Sequence, residues 1–124
     1  MASISSLLIV DDDSAMRQIL VAIFKKEGVT HIVEAGSAEQ ALQILKEEPF
    51  ALIICDYQMP VLNGVAFLGK LRIGGDKTPL LLITGVPDKT PVIAAAAQMK
   101  VDFLAKPFTV TALMGVVEKL MEIS

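Results

Sequence analysis

Four short polar stretches carry the residue types from which phosphoryl chemistry is built: Asp11-Asp12-Asp13, Asp56-Tyr57-Gln58, Thr84-Gly85 and Lys106-Pro107. Each follows an apolar run, so each could stand at the end of a buried strand. Three carboxylates gathered within about 5 Å would repel by roughly 3 kcal/mol per pair at an effective dielectric near 20. A divalent ion removes that repulsion, and all-oxygen ligation with several retained waters suits magnesium. Lys106 would add a point charge, Thr84 a hydroxyl donor, and Gly85 a backbone that can approach closely. One carboxylate, Asp56, would then be free to attack phosphorus and become an aspartyl-phosphate. The protein's share of such a transfer is positioning and charge stabilisation.

The elements that must hold these residues are legible from two alternating periods. Apolar runs occur at Leu7–Val10, His31–Ala35, Ala51–Cys55, Leu80–Ile83 and Val101–Ala105. Between and after them lie segments of helical spacing at Ser14–Lys26, Ala38–Glu48, Val65–Arg72, Val92–Met99 and Val110–Ile123. Gly28 follows the first helix, Ser37 with Gln40 forms a capping box before the second, and Asn63 can cap the third. Pro79 opens the fourth strand, and Pro91 sits in the first turn of the fourth helix. The pattern predicts one α/β domain over residues 1–124, a doubly wound (βα)5 fold with a parallel five-stranded sheet. The flavodoxin-like order 2-1-3-4-5 is the common solution for five such strands. Ligands in these folds sit outside the carboxyl ends of the strands, where all four polar stretches fall.

Composition narrows the possibilities. The 124 residues are 53% hydrophobic and 20% charged, with a mean hydropathy of +0.60, enough to build one core and too apolar for intrinsic disorder. A net charge of −3 argues against direct nucleic-acid binding. No apolar stretch reaches the roughly 18–20 residues needed to span a bilayer, and the N-terminus has no secretory character. The single cysteine, Cys55, rules out an internal disulfide and fits a reducing cytoplasm.

Taken together, the chain resembles the receiver domain of two-component response regulators, in particular the single-domain chemotaxis type. The matching stretches are Leu8-Ile9-Val10-Asp11-Asp12-Asp13-Ser14-Ala15-Met16-Arg17, Leu52-Ile53-Ile54-Cys55-Asp56-Tyr57-Gln58-Met59-Pro60 with Asn63-Gly64, Leu81-Leu82-Ile83-Thr84-Gly85, Ala94-Ala95-Ala96 and Phe103-Leu104-Ala105-Lys106-Pro107-Phe108. The resemblance implies that Asp56 is the phosphoacceptor. It implies that Asp12, Asp56 and the Gln58 carbonyl ligate magnesium, with Asp11 acting through a bound water. Thr84 and Lys106 would grip the phosphoryl oxygens, helped by the backbone N–H groups of Gln58 and Gly85. The Lys106–Pro107 bond is typically cis in the family. Thr84 and Phe103 match its switch pair, and Gln58 and Val86 the two positions that tune phosphoryl lifetime. Phe103 lacks the hydroxyl of the chemotaxis protein's tyrosine, Asn63 stands for a common aspartate, and Gln98-Met99-Lys100 replaces a small Ala-Gly pair.

The implied partners are a sensor histidine kinase or phosphotransfer protein, and a downstream protein target or second copy. Helix 92–99, strand 101–105 and helix 110–123 would form the surface that phosphorylation alters. The chain would be a self-modifying switch, not a metabolic enzyme. Two other functions are compatible with parts of the pattern. A degenerate receiver would act as a phosphorylation-independent binding module. A haloacid-dehalogenase-like phosphatase would use Asp11-Asp12-Asp13-Ser14-Ala15, but Ala15 breaks its motif and Asp56 would have no task. Simpler roles compete for single residues: Asp13 and Ser14 as a helix cap, Cys55 in the core and His31 at the surface. Arg17 could touch a partner or the pocket rim, with a solvated face as its default. In the last helix, Val110, Leu113, Met114, Val117, Leu120 and Met121 fall on one face, the expected core stripe, and Ala112, Val116 and Ile123 widen it.

Overall fold

A computed structural model describes residues 4–60, 62–85 and 100–122. Nine elements follow in the order β1 (Leu7–Val10), α1 (Ser14–Lys26), β2 (Ile32–Ala35), α2 (Ala38–Glu47), β3 (Leu52–Asp56), α3 (Gly64–Ile73), β4 (Leu80–Thr84), β5 (Val101–Ala105) and α4 (Val110–Glu122). The five strands pair in parallel in the order β2-β1-β3-β4-β5, as expected. The predicted helix Val92–Met99, with Pro91, Val86 and Ala94–Ala96, lies outside the described residues.

Why the strand runs are apolar without alternation is plain from the two cores. Leu8, Val10, Ile53, Cys55, Leu80 and Leu82 point to one face, where Ala38 and Ala41 of α2 and Phe67, Leu68 and Leu71 of α3 cover them. Leu7, Ile9, Leu52, Ile54, Leu81 and Ile83 point to the other, beneath Leu20 and Phe24 of α1 and Leu113, Val117 and Leu120 of α4. A strand covered on both sides has no face to give to water. β3 and β4 each extend one residue beyond the apolar run, so Asp56 and Thr84 end their strands instead of following them.

Helix boundaries follow local chemistry. Asp13 caps α1 by accepting from the Ala15 N–H at 2.9 Å, and Asn63 caps α3 through Ala66 at the same distance. Ser37 accepts from Gln40 N–H, but the expected capping box closes differently. The Gln40 amide oxygen takes the N–H of Gly36 at 2.8 Å, one residue before the cap. α1 ends at Lys26, and Gly28 just beyond its cap takes a φ of +95° that suits a residue without Cβ; the Val29 N–H returns to the Phe24 carbonyl at 3.0 Å. Where the family's small pair is replaced, Lys100 itself takes the left-handed conformation (φ 50°), at a cost of about 1 kcal/mol for a side-chain-bearing residue.

Two packing expectations change. Val110 is 49% exposed at the start of α4 and lies outside the core, because the first turn leads in from the loop before the helix settles on the sheet. Val116, placed beyond the core stripe, is half-buried and packs in the α1/α4 core. His31 is a surface residue as expected, stacked on Phe50 and paired with Glu48 at 3.1 Å.

Gly64 shows how tightly α3 sits behind the site. A Cβ there would stand 2.7 Å from the Asp56 carbonyl, 2.8 Å from a Leu82 methyl and 3.0 Å from the Tyr57 Cα. Backbone cannot yield as a flexible side chain can. Gly64→Ala is therefore expected to destabilise the fold by about 1–3 kcal/mol, seen as a lower urea midpoint. An unchanged midpoint would show that α3 can move away from β3.

Candidate functional site

The parallel register brings the four polar stretches to one end of the sheet. β1 stands between β2 and β3, and β4 between β3 and β5. Val10 pairs with Cys55, Asp56 with Ile83, and Thr84 with Ala105. Strand ends in lateral register release their next residues at the same height. Asp11, Asp12 and Asp56 consequently converge, each offering a carboxylate oxygen within 4.8 Å of the others. Asp13 does not join them, since its side chain is spent on the cap of α1.

Asp11 and Asp56 are almost covered, at 2% and 6% exposure, whereas Asp12 opens to solvent. Burial pushes the Asp11 carboxyl up to about 6, reinforced by the charges of Asp56 and Asp12; the Asp13 N–H, donating to Asp11 Oδ1 at 2.9 Å, and Lys106 act against this. Burial also raises Asp56 above the ordinary carboxylate range, although Lys106 and the Gln58 N–H pull it down. Lys106 Nζ donates to Asp56 Oδ1 at 3.2 Å. A crowded acid trio with two members desolvated, beside one ammonium, is short of positive charge, and its all-oxygen donor set suits a hard divalent cation.

Of the other predicted residues, Lys106 reaches the trio directly and Thr84 is tied to Lys106. Thr84 is fully buried at the end of β4, and its carbonyl receives the Lys106 N–H at 2.8 Å, tying the two residues together. Phe103 lies half-buried on β5 opposite Leu82 and packs against the α2/α3 core. Gln58 contributes its N–H to Asp56 while its side chain is exposed. The Lys106–Pro107 bond is cis. Val86 lies outside the described residues. Cys55 is buried beside Asp56 with its thiol pushed up, mainly by burial, and it donates to the Asp56 carbonyl, as a core residue should.

Of the two places open to Arg17, the structure takes the pocket rim and not the solvated face: its guanidinium donates to the Asp11 carbonyl at 2.6 Å and to Glu34 at 3.1 Å. The available signal was its position: one turn into a helix that begins beside the acids, with an acidic residue near the end of the neighbouring strand.

The comparisons with known proteins point to one family. The profile of the response regulator receiver domain matches residues 7–118. A probable chemotaxis protein CheY from Rhizobium etli is 33% identical over 114 residues, covering 90% of this chain and 88% of that one. The response regulator protein FleR of Pseudomonas aeruginosa is 35% identical over 93% of this chain, which spans only 24% of FleR. Among solved structures, the receiver domain of NtrX from Brucella abortus superposes with a TM-score of 0.85 at 25% identity, covering 96% of this chain and all of that one. Fold and acidic site together define a receiver-type α/β domain. The chain belongs to the response regulator receiver family.

Proposed function

We propose that Asp56 accepts a phosphoryl group from a histidine kinase or phosphotransfer protein in a magnesium-dependent transfer. The observation that carries this reading is the 3.2 Å contact between Lys106 Nζ and Asp56 inside a trio of carboxylates. It puts a nucleophilic oxygen and a cation for the phosphoryl oxygens in one place. Asp11, Asp12, Asp56 and the Gln58 carbonyl would hold the magnesium ion, which neutralises phosphoryl oxygens when bound.

An Asp56 oxygen attacks phosphorus as the bond to the donor nitrogen breaks, and the donor imidazole leaves with that electron pair. Lys106 turns from the carboxylate to the phosphoryl oxygens, and the Thr84 hydroxyl donates a further hydrogen bond. Burial of Asp56 limits water's access to the product. The movement of Thr84 permits Phe103 to pack more deeply, which alters the surface of β5 and α4 seen by a protein target or a second copy. The chain acts as a switch that catalyses its own modification, not as a metabolic enzyme. Its one cysteine, buried and unpaired, suits the cytoplasm, and no helix among the described residues is long and apolar enough to cross a membrane.

Intact-mass measurement after incubation with magnesium and acetyl phosphate tests the reading. The expected result is a gain of one phosphoryl group that disappears when EDTA replaces magnesium. No gain under either condition would leave a phosphorylation-independent binding module as the better description.

A further inference from the structure

We infer that Arg17 is a positioning residue for the cation site: by clamping the Asp11 carbonyl it sets the orientation of the peptide that carries Asp12. This rests on the phosphoacceptor reading above and deepens it.

β1 ends at Val10, and the Asp11 N–H makes the last β1–β2 ladder bond, to the Ala35 carbonyl at 3.1 Å. Beyond that point the chain leaves the sheet, so strand pairing no longer fixes the Asp11 carbonyl. Arg17 Nη1 takes over, donating to it at 2.6 Å. That carbonyl belongs to the Asp11–Asp12 peptide unit, and its direction determines where the Asp12 Cα, and hence its carboxylate, is placed. Asp12 depends on this more than its neighbours. Asp11 accepts from the Asp13 N–H and Asp56 from Lys106, whereas Asp12 is exposed.

Arg17 stands in the opening turn of α1, where the helix dipole disfavours a cation. Its charge is met by Glu34, the penultimate residue of β2, through Nε at 3.1 Å. The two nitrogens thus do different work. Nε ties the side chain to the neighbouring strand, and Nη1 holds the acid-bearing turn. The guanidinium lies beside Gly36, where a Cβ would meet Nη1 at an ordinary contact distance of 3.6 Å. A rigid planar fork can hold two fixed partners at once, which a lysine head cannot.

Calorimetric titration of magnesium into wild type, Arg17→Met, Arg17→Lys and Glu34→Gln separates the possibilities, with backbone amide exchange at Asp12 and Asp13 and urea midpoints measured alongside. Arg17→Met should weaken magnesium binding about tenfold, in the range typical for partners that orient metal ligands, and speed exchange at both amides. Arg17→Lys, whose head can still reach the carbonyl, should recover binding to within about threefold of wild type. Glu34→Gln should stay within about twofold, because the clamp on Asp11 survives. A lower urea midpoint with an unchanged dissociation constant in Arg17→Met would overturn the proposal and leave a surface ion pair. So would an equal loss in Glu34→Gln, which would assign the effect to charge. Should Arg17→Met fail to fold, Arg17→Gln, whose amide is two bonds too short to reach the carbonyl, takes its place, and wild-type affinity and amide exchange in that variant would overturn the proposal too. Wild type that fails to bind magnesium would instead remove the phosphoacceptor reading itself.

Discussion

Asp56→Asn abolishes phosphoryl uptake: intact mass after incubation with magnesium and acetyl phosphate stays at that of the unmodified chain, while wild type gains one phosphoryl group. The expected loss of rate is on the order of a thousandfold or more, because an amide oxygen is a poor nucleophile and no other carboxylate can replace it. Asp11 is buried, points into the same cluster and accepts from the Asp13 N–H, but Lys106 is paired with Asp56. Asp12 is exposed, without that ammonium beside it. The variant should fold well. Burial holds Asp56 above its ordinary carboxyl range despite Lys106, so removing its charge should raise the urea midpoint in the absence of metal. Undiminished uptake by Asp56→Asn would move the nucleophile elsewhere and dismantle the proposed mechanism.

In EDTA, stability should fall as the pH rises from about 4 to above 6, and magnesium should cancel most of that fall. The sign follows from Asp11. Its carboxyl is raised from 3.8 in an exposed setting to about 6 in the fold, so between those values the folded chain holds a proton that the unfolded chain has released. Stability is fully present below the unfolded value and is lost as the pH passes the folded one. A difference of this size corresponds to roughly 3 kcal/mol for Asp11, and Asp56 acts in the same direction. A divalent cation binds the ionised carboxylates and so stabilises the fold above pH 6. Urea titrations at pH 4.5 and 7, with and without magnesium, measure both effects, and Asp11→Asn should flatten the metal-free profile. A metal-free midpoint that climbs with pH would show that Asp11 is not held as a strained carboxylate.

Both results depend on how residues 45 positions apart come to share a charge problem. The β1 and β3 runs were readable as strands because they are apolar through and through, and each ends on acids. That pattern, with Thr84 and Lys106 at two further strand ends, is enough to locate the candidate site from the sequence. The caps were equally local. Asp13, Ser37 and Asn63 lie just before a helical period, and each accepts from an N–H two or three residues on.

What sequence spacing misjudged was long-range or geometric. Arg17 looks like any charged residue on the outer face of a helix. Its task emerges only when β2 brings Glu34 alongside and the turn after β1 offers an unpaired carbonyl. Val110 satisfies the core period of its helix, yet the angle at which the chain enters α4 leaves it half in water. The reach of Gln40 to Gly36, not to Ser37, depends on how the chain leaves β2. Gly64 reads as a helix start, and only the approach of α3 to β3 makes its missing Cβ necessary.

Residue order alone determined the kinds of element, the caps and the identity of the chemical groups, since these follow from periodicity and from contacts a few residues apart. Tertiary structure decided which acids face one another in the cluster, that the Asp11 and Asp56 carboxyls are raised, and that Arg17 holds the acid-bearing turn. Those properties depend on distance and desolvation between strands remote in the chain, and neither quantity exists until the sheet has closed.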